Sequence, residues 1–318
     1  MSISQDTQVA LIGVPLDLGA ENLGVDTGPK AFRHQKIVEK LNQVGLNIND
    51  LGNISCQERQ DIDTGNPSLR YLKEIVRVNE ALADITRKTI QANRKIVVMG
   101  GDHSVNLGAM SGASVATQGN IGLIYLDAHG DMNTSQTTPT GNIHGMHLAA
   151  LLGYGNPELV HIHTDQIKLS KKHLLHIGGS DFDQAELDFI KQENLQTFTL
   201  LDLLSQNLSP LLSMIDKLAT SVSNIWISLD LDVIDRIYAP GAGMPNAKGL
   251  TYREIATIAE YIGKHCNVIG IDVVEYNPLQ DEQNKTAELG IELIAKFLGK
   301  NYSWYTNYLV ANKVFRTV

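Results

Sequence analysis

The chain has 318 residues, of which 43% are hydrophobic and 19% are charged, a composition that supports a large buried core and excludes a disordered or fibrous protein. Its 26 lysines and arginines stand against 35 aspartates and glutamates, and the net charge of -9 argues against a nucleic-acid surface, which needs clustered positive charge. The two cysteines, Cys56 and Cys266, lie far apart and in no metal-binding spacing, so a reducing compartment is favoured.

Neither a signal peptide nor a membrane span is predicted from the sequence. The first residues lack the basic segment that precedes the apolar part of a signal peptide. No apolar run reaches the roughly 18 residues that a spanning helix requires. We therefore expect a cytoplasmic protein.

Short runs rich in valine and isoleucine alternate with segments of helical periodicity along the whole chain. Strands of a parallel sheet that is buried on both faces have this apolar character, and the longer segments are typical of crossover helices. We predict one α/β domain over residues 1–300, a three-layer αβα arrangement around a central, mostly parallel sheet. Strands are predicted at 9–14, 95–100, 121–126, 173–178, 224–229 and 268–274, helices at 69–93, 186–193, 201–219, 252–265 and 285–298, and loops at 65–68 and 131–145.

Acidic or imidazole side chains directly follow four of the predicted strands. In open α/β sheets, ligands bind beyond the carboxyl ends of the strands, so these side chains are expected at one common edge. Several carboxylates that are buried together repel one another unless cations neutralise them, and the pattern therefore predicts a metal centre. The segments are GGDHS at 100–104, DAHGDMN at 127–133, DLDVID at 230–235 and EYN at 275–277.

Six residues of these segments form the predicted ligand set. If the segments stay extended, alternate residues point the same way, which groups Asp127, His129 and Asp131 and separately groups Asp230 and Asp232. With His103 there are more ligands than one ion usually needs, and this indicates two ions. Oxygen donors with a minority of nitrogen favour Mn²⁺ over Zn²⁺ or Cu²⁺, although ligand type alone does not settle the metal.

Each of these motifs also has a simpler interpretation when it is taken alone. An isolated DxD or GGDH is usually a turn or a helix cap, and the two glycines before His103 fit a tight turn better than a phosphate-binding loop. It is their coincidence at four strand ends that favours a metal centre. The other histidines are expected at the surface or in the core, namely His34, His161, His163, His173, His176 and His265.

In combination these segments resemble the ureohydrolase family and, within it, the arginases. The similarity extends over nearly the whole chain and implies an arginase-like fold and a binuclear manganese centre with two Mn²⁺ per subunit. It implies that Asp127 and Asp230 bridge the two ions, with His103 and Asp131 completing one position and His129 and Asp232 completing the other. Further segments that carry the resemblance are 12–33, 41–54, TGNIHGM at 140–146, GLTYRE at 249–254 and 272–290.

The resemblance also implies hydrolysis of L-arginine to L-ornithine and urea, in which metal-bound hydroxide attacks the guanidinium carbon. Glu275 would hold the guanidinium group, and His144 would transfer a proton to the leaving amine. Asp131 would orient the hydroxide while serving as a ligand. The simpler alternatives are that Glu275 is a capping or salt-bridge residue and that His144 is a solvated loop histidine.

The preference for arginine rests on the far end of the pocket. Asn133, Thr140 and Asn142 would donate hydrogen bonds to the substrate carboxylate, and Asp183 would accept one from the ammonium group. Agmatine has no carboxylate, so arginine is preferred over it. The alternatives left open are another ureohydrolase reaction, on agmatine, guanidinobutyrate or formiminoglutamate, and a non-catalytic paralogue. A metallophosphatase is disfavoured because its usual GNH loop is absent.

Several positions depart from the usual pattern of the family. Thr140 stands where serine is typical, Ser180 where arginine is common, Met244 where threonine is common, and His147 where proline is frequent, while Arg236 rather than proline follows Asp235. Each change could be neutral or could reshape the pocket.

Residues 301–318 form an aromatic C-terminal tail, which we expect either to pack on its own subunit or to reach across a subunit interface. By resemblance, a homo-oligomer is expected, a trimer or hexamer, that binds a small guanidino substrate and neither nucleic acid nor membrane.

Overall fold

A computed structural model describes residues 8–301 and contains one sheet of eight strands. The strands are β1 (Gln8–Val14), β2 (Asn47–Asn53), β3 (Lys95–Gly100), β4 (Gly122–Asp127), β5 (Leu174–Gly178), β6 (Gln196–Thr199), β7 (Ile225–Asp230) and β8 (Val268–Val274). All neighbouring strands are parallel, in the order β2-β1-β3-β8-β7-β4-β5-β6. This confirms the predicted parallel α/β sheet.

The two strands that the sequence did not predict are those at the edges of the sheet. In β2, only Ile48 is buried, and in β6, only Phe198 is buried. An edge strand has one free side and needs no continuous apolar run, so its sequence NINDLGN or QTFT carries no strong strand pattern. The six interior strands were predicted to within one residue at each end.

Eleven α-helices surround the sheet within residues 8–301. They are α1 (Gly28–His34), α2 (Ile37–Gln43), α3 (Leu72–Gln91), α4 (Asn106–Ala116), α5 (His147–Leu151), α6 (Pro157–Val160), α7 (Gln184–Glu193), α8 (Leu200–Gln206), α9 (Ser209–Ser221), α10 (Tyr252–His265) and α11 (Lys285–Phe297). The single helix predicted over 201–219 is wrong, because Asn207 takes a positive φ of 59° and separates α8 from α9. Helix α4, which was not predicted, is buried along most of its length and therefore lacks an amphipathic pattern.

Two apolar layers hold the helices against the sheet. Successive side chains of a strand point to opposite faces, so Val97 and Met99 of β3 join one layer and Ile96 and Val98 join the other. Helices α1, α2, α9, α10 and α11 pack on the first layer, and α3, α4 and α5 pack on the second. Within the described residues, no helix is both long and apolar enough to cross a membrane.

The order of the strands brings the functional segments together. Strands β3, β8, β7 and β4 are consecutive neighbours in the middle of the sheet. Since all strands are parallel, the segments that follow these four strands leave the sheet at the same edge. The predicted C-terminal tail begins at Asn301, and the rest of it lies outside the described residues.

Candidate metal centre and active site

The turn after β3 delivers His103 into the centre of this edge. A Cβ atom on Gly101 would lie 1.9 Å from the carbonyl oxygen of Leu16, so only glycine fits this turn. Asp102 caps the turn by accepting hydrogen bonds from the backbone amides of Ser104, at 2.9 Å, and Gly19, at 2.8 Å. The GG pair thus provides close backbone packing, as the sequence indicated.

One cluster of ligand atoms gathers around Nδ1 of His103. This nitrogen lies 2.9 Å from Oδ2 of Asp127, 3.2 Å from Oδ2 of Asp230 and 3.4 Å from Oδ2 of Asp131. All four side chains are buried. The donor atoms of His103, Asp127 and Asp230 converge closely enough to hold one cation, and those of His103 and Asp131 converge in the same way together with His147.

A second cluster forms around His129, and Asp127 links the two. Nδ1 of His129 lies 3.0 Å from Oδ2 of Asp232 and 3.5 Å from Oδ1 of Asp127. Asp127 therefore presents one oxygen to each cluster. The structure brings all six residues of the predicted ligand set together.

The residues reach these positions through turns, and the predicted extended geometry is wrong. Asp131 has a positive φ of 53°, and Oδ1 of Asp127 accepts a hydrogen bond from the backbone amide of His129 at 2.6 Å. Asp232 lies in a 3-10 turn that Asp230 caps by accepting from its backbone amide at 2.8 Å. In an extended strand these side chains would be spaced along its length. Tight turns bring them closer together.

Two residues that the sequence analysis missed fix the orientation of His103. Its Nε2 lies 2.8 Å from Oγ of Ser228, and that hydroxyl donates to Oδ1 of Asp272 at 2.5 Å. The hydroxyl therefore accepts from Nε2–H, and Nδ1 keeps its lone pair for a cation. The sequence pattern that could have identified them is a polar residue inside an otherwise apolar strand, the serine in WISLD and the aspartate in IDVV.

The electrostatics of the site fit divalent cations. Burial and the charges of Asp232 and Asp127 raise the pKa of Asp230 well above its ordinary value, and burial with Asp127 raises the pKa of Asp131 to about 7. Within residues 8–301, no lysine or arginine forms an ion pair with these carboxylates, and histidines are their only ionic partners. The donor set, carboxylate oxygens with two imidazole nitrogens, is one that Mn²⁺ accepts.

We expect Mn²⁺ affinity to rise with pH. A raised carboxyl pKa means that the metal-free protein retains a proton that must leave when the ion binds, so the affinity should rise with pH up to about 7, where Asp131 loses its proton, and this contribution should level off above that pH. Each proton released should increase affinity about tenfold per pH unit. Calorimetric titration in buffers of different ionisation enthalpy counts these protons, and affinity that is constant from pH 6 to 8 would contradict the expectation.

A pocket of about 210 Å³ opens beside the two clusters. Its wall contains His129 and Asp131 from the clusters and His144 from the loop that precedes α5. All four residues predicted to bind the amino-acid end of the substrate also line it, and so do several that were not predicted. The first group is Asn133, Thr140, Asn142 and Asp183, and the second includes Asp181 and Glu186. Met244, one of the positions at which the sequence departs from the family pattern, also lines the pocket.

The substrate-facing residues are tied to one another. Nδ2 of Asn133 donates to Oδ2 of Asp183 at 2.7 Å, while Oδ1 of Asp183 accepts from the backbone amide of Glu186 at 2.9 Å and caps α7. Asp183 is therefore a helix cap as well as a pocket residue. Nη1 of Arg70, which the sequence analysis did not single out, donates to Oδ1 of Asn142 at 3.3 Å.

Glu275 and His144 form a pair next to the first cluster. Oε1 of Glu275 accepts from the backbone amide of His103 at 3.0 Å and lies 3.4 Å from Nδ1 of His144. Burial would lower the pKa of His144, but the hydrogen bond and charge of Glu275 raise it to about 9. Glu275 itself adopts a positive φ of 58°, a strained backbone state that is common at functional sites.

Comparisons with known proteins agree with this geometry. The sequence model of the Arginase family matches residues 7–299. An arginase of Brevibacillus brevis is 37% identical over 292 residues, which cover 92% of this chain and 97% of the relative. The native arginase structure from Bacillus caldovelox superposes with a TM-score of 0.89 at 36% identity, over 93% of this chain and 100% of that one.

A more distant structure has the same architecture. The arginase of Entamoeba histolytica, solved in complex with L-ornithine, gives a TM-score of 0.82 at 29% identity over 92% of this chain and 99% of its own. The match to the family extends over nearly all residues that form the sheet, the two clusters and the pocket. This chain therefore belongs to the arginase family.

Proposed function

We propose that this chain hydrolyses L-arginine to L-ornithine and urea with two bound Mn²⁺. The observation that carries the proposal is the pair of carboxylate and imidazole clusters, buried except for part of His129, that share Asp127 and open on the pocket. Membership of the arginase family supports the reaction, and the relative solved with L-ornithine supports the product.

His103 and Asp131 would hold one ion and His129 and Asp232 the other, with Asp127 and Asp230 between them. When bound, the two ions would supply Lewis acidity that lowers the pKa of a water molecule, so that hydroxide would be available near neutral pH to attack the electrophilic guanidinium carbon. Asp131 lies at the pocket wall, where its carboxylate can accept a hydrogen bond from the attacking water and orient it.

His144 is placed to deliver the proton that the leaving amine needs. Its Nδ1 faces Glu275, so Nε2 is the nitrogen that can exchange a proton with the substrate. Because Glu275 keeps its imidazole protonated at neutral pH, His144 can act as an acid when the carbon–nitrogen bond breaks. The carboxylate of Glu275 would also hold the guanidinium group through charge-assisted hydrogen bonds.

The amino-acid end of arginine would lie against the loop 133–142 and the start of α7. Asn133, Thr140 and Asn142 can donate to a carboxylate. A carboxylate has about four lone-pair sites, so Asp183 can accept from an ammonium group while it caps α7 and bonds Asn133. The proposal also includes a single arginase-like domain over residues 1–300, assembly into a homo-oligomer and a cytoplasmic location.

The first test is the choice of substrate. The protein is stripped of metal and reloaded with Mn²⁺, and urea release is then measured from different guanidino compounds. We expect urea from L-arginine and much less from agmatine, which lacks the carboxylate, or from guanidinobutyrate, which lacks the ammonium group. Urea from one of these in preference to arginine would keep the hydrolytic centre and overturn the pocket assignment. No urea from any guanidino compound would overturn the proposed activity.

The contribution of Asp183 to substrate binding can be measured separately from its contribution as the cap of α7. Asparagine caps helices about as well as aspartate, so Asp183→Asn should preserve α7 but lose the charge that binds an ammonium group. We expect kcat/KM for arginine to fall about tenfold, mainly through KM, because one charge-assisted hydrogen bond contributes roughly 1.5 kcal/mol.

Guanidinobutyrate serves as the internal control for Asp183→Asn, since it has no ammonium group and its turnover should not change. The matched variant is Asp188→Asn, which makes the same charge change on the same helix at a residue whose side chain is hydrogen-bonded, within residues 8–301, only to Gln184. An equal loss with arginine and guanidinobutyrate would contradict the assignment and indicate a general distortion of the pocket.

A further inference from the structure

A buried tyrosine lies inside the metal centre. Tyr125, on β4, is fully buried, and its hydroxyl lies 2.6 Å from Oδ2 of Asp127 and 2.8 Å from Oδ2 of Asp131. The same oxygen is 3.3 Å from Nδ1 of His103. Three of the four residues that surround the first ion position therefore contact one phenol group.

The ring of Tyr125 is held so that this hydroxyl cannot turn away. It stacks on the ring of His103, with centroids 5.0 Å apart and planes inclined by 15°, and makes an edge contact with His176 at 5.3 Å. His147 packs against the His103 ring, with centroids 4.3 Å apart, and its Nδ1 donates to the carbonyl oxygen of His144 at 2.6 Å. His103 is thus enclosed by Tyr125 and His147.

The hydroxyl distinguishes the two ion positions. Of the two oxygens of Asp127, Tyr125 contacts Oδ2, which faces His103, whereas Oδ1 faces His129 in the other cluster. Asp131, the second partner of the hydroxyl, also lies on the His103 side. Tyr125 therefore contacts ligand atoms of the first cluster, and no hydrogen bond joins it to His129 or Asp232 among the described residues.

We propose that Tyr125 is a positioning residue of the metal centre, whose hydroxyl holds the carboxylates of Asp127 and Asp131 for the ion bound by His103 and so sets the affinity of that position alone. A hydroxyl hydrogen shared between the two carboxylates keeps their oxygens close in the metal-free protein, where they would otherwise repel. With the ion bound, it donates to a ligating carboxylate, and such partners typically change metal affinity about 10- to 100-fold. The inference rests on the proposed function only in assuming that the clusters bind metal.

The test is Mn²⁺ binding by Tyr125→Phe, which removes the oxygen and leaves the ring. We expect calorimetric titration of the metal-free variant to show one position weakened about 10- to 100-fold and the other with wild-type affinity. With Mn²⁺ below the concentration that fills the weakened position, electron paramagnetic resonance should show isolated Mn²⁺ where the wild type shows the spin-coupled pair. The matched control is Tyr261→Phe, which removes a hydroxyl bonded to Asp216 at 2.8 Å on the outer helix α10.

Two outcomes would overturn the proposal. Wild-type affinity at both positions in Tyr125→Phe would show that the hydroxyl has no effect on metal binding. Equal weakening of both, together with a lower Tm of the metal-free protein, would show a general packing role.

If the phenylalanine variant fails to fold, Tyr125→Met fills the same space with a flexible side chain and should weaken the same single position. Binding of both ions without urea release from arginine would contradict the proposed function and leave this inference standing.

Discussion

Replacing Asp127 by asparagine is expected to release both ions and to lower urea formation from L-arginine at least about 10³-fold. Asp127 is the residue that presents one oxygen to His103 and the other to His129. Asparagine replaces one of these oxygens by an amide group, which donates hydrogen bonds and cannot bind a cation. Metal catalysis supplies several kcal/mol of transition-state stabilisation, and each 1.4 kcal/mol or so is a factor of ten in rate.

The metal content of the dialysed variant is the decisive measurement. We expect less than one tightly bound ion in Asp127→Asn, and one in Asp131→Asn, because the ion pairs of Asp131 within residues 8–301 include His103 of the first cluster and neither His129 nor any other residue of the second. Asp235→Asn is the matched control, since Asp235 lies just beyond β7 and its side chain bonds only the backbone amide of Ile237 among the described residues. Two tightly bound ions in Asp127→Asn would contradict the bridging assignment.

The interior of the fold was predictable because burial imposes a simple pattern on it. A strand with helices on both faces must be apolar at nearly every position, as in KIVVMG of β3, and an amphipathic helix such as α10 has a regular spacing of apolar residues. Burial imposes neither pattern on the edge strand β2 nor on the internal helix α4. These elements are determined by packing against neighbouring elements, and the local sequence carries no information about that packing.

The site was predictable in its residues and not in its geometry. The acidic and imidazole residues after four strands indicated a shared edge, but strand order is a property of the whole sheet. It is the adjacency of β3 and β8 that places Glu275 within hydrogen-bond distance of the His103 amide. The positive φ angles of Asp131 and Glu275 are set by the same packing, and aspartate and glutamate give no local sign of them.

The strand residues that support the metal-ligand side chains were not predicted from the sequence, for a related reason. Tyr125, Ser228 and Asp272 lie within strands that read as apolar runs, and a single polar residue in such a run has no evident partner until the sheet is assembled. Tyr125 hydrogen-bonds to Asp127 at the end of its own strand and to Asp131 in the turn beyond it. Ser228 contacts His103 in the turn after β3 and donates to Asp272 on β8. A buried polar group needs such partners, and most of these lie in other elements of the fold. A polar residue near the end of a buried parallel strand is therefore a useful sign of a supporting role.

His144→Asn is expected to lower kcat for arginine about 100-fold with little change in KM or metal content. The imidazole lies beside the first cluster without belonging to it, and loss of a positioned general acid typically costs at least this factor. Asparagine can still bond Glu275, but it cannot give up a proton near neutral pH. Steady-state kinetics with bound metal measured in the same sample separates this result from metal loss.

The pH profile provides the sharper test of the same role. Because Glu275 raises the pKa of His144 to about 9, the acid form predominates below that pH and is lost above it. The wild-type kcat should therefore fall as the pH rises through about 9, and His144→Asn should lack this decline. His163→Asn is the matched control, since Nδ1 of His163 lies 3.7 Å from Glu80 in a comparable imidazole–carboxylate pair outside the pocket. A His144→Asn enzyme that keeps both the wild-type kcat and the alkaline decline would assign proton delivery to another group, and the carboxylates of the metal centre would then be the first to examine.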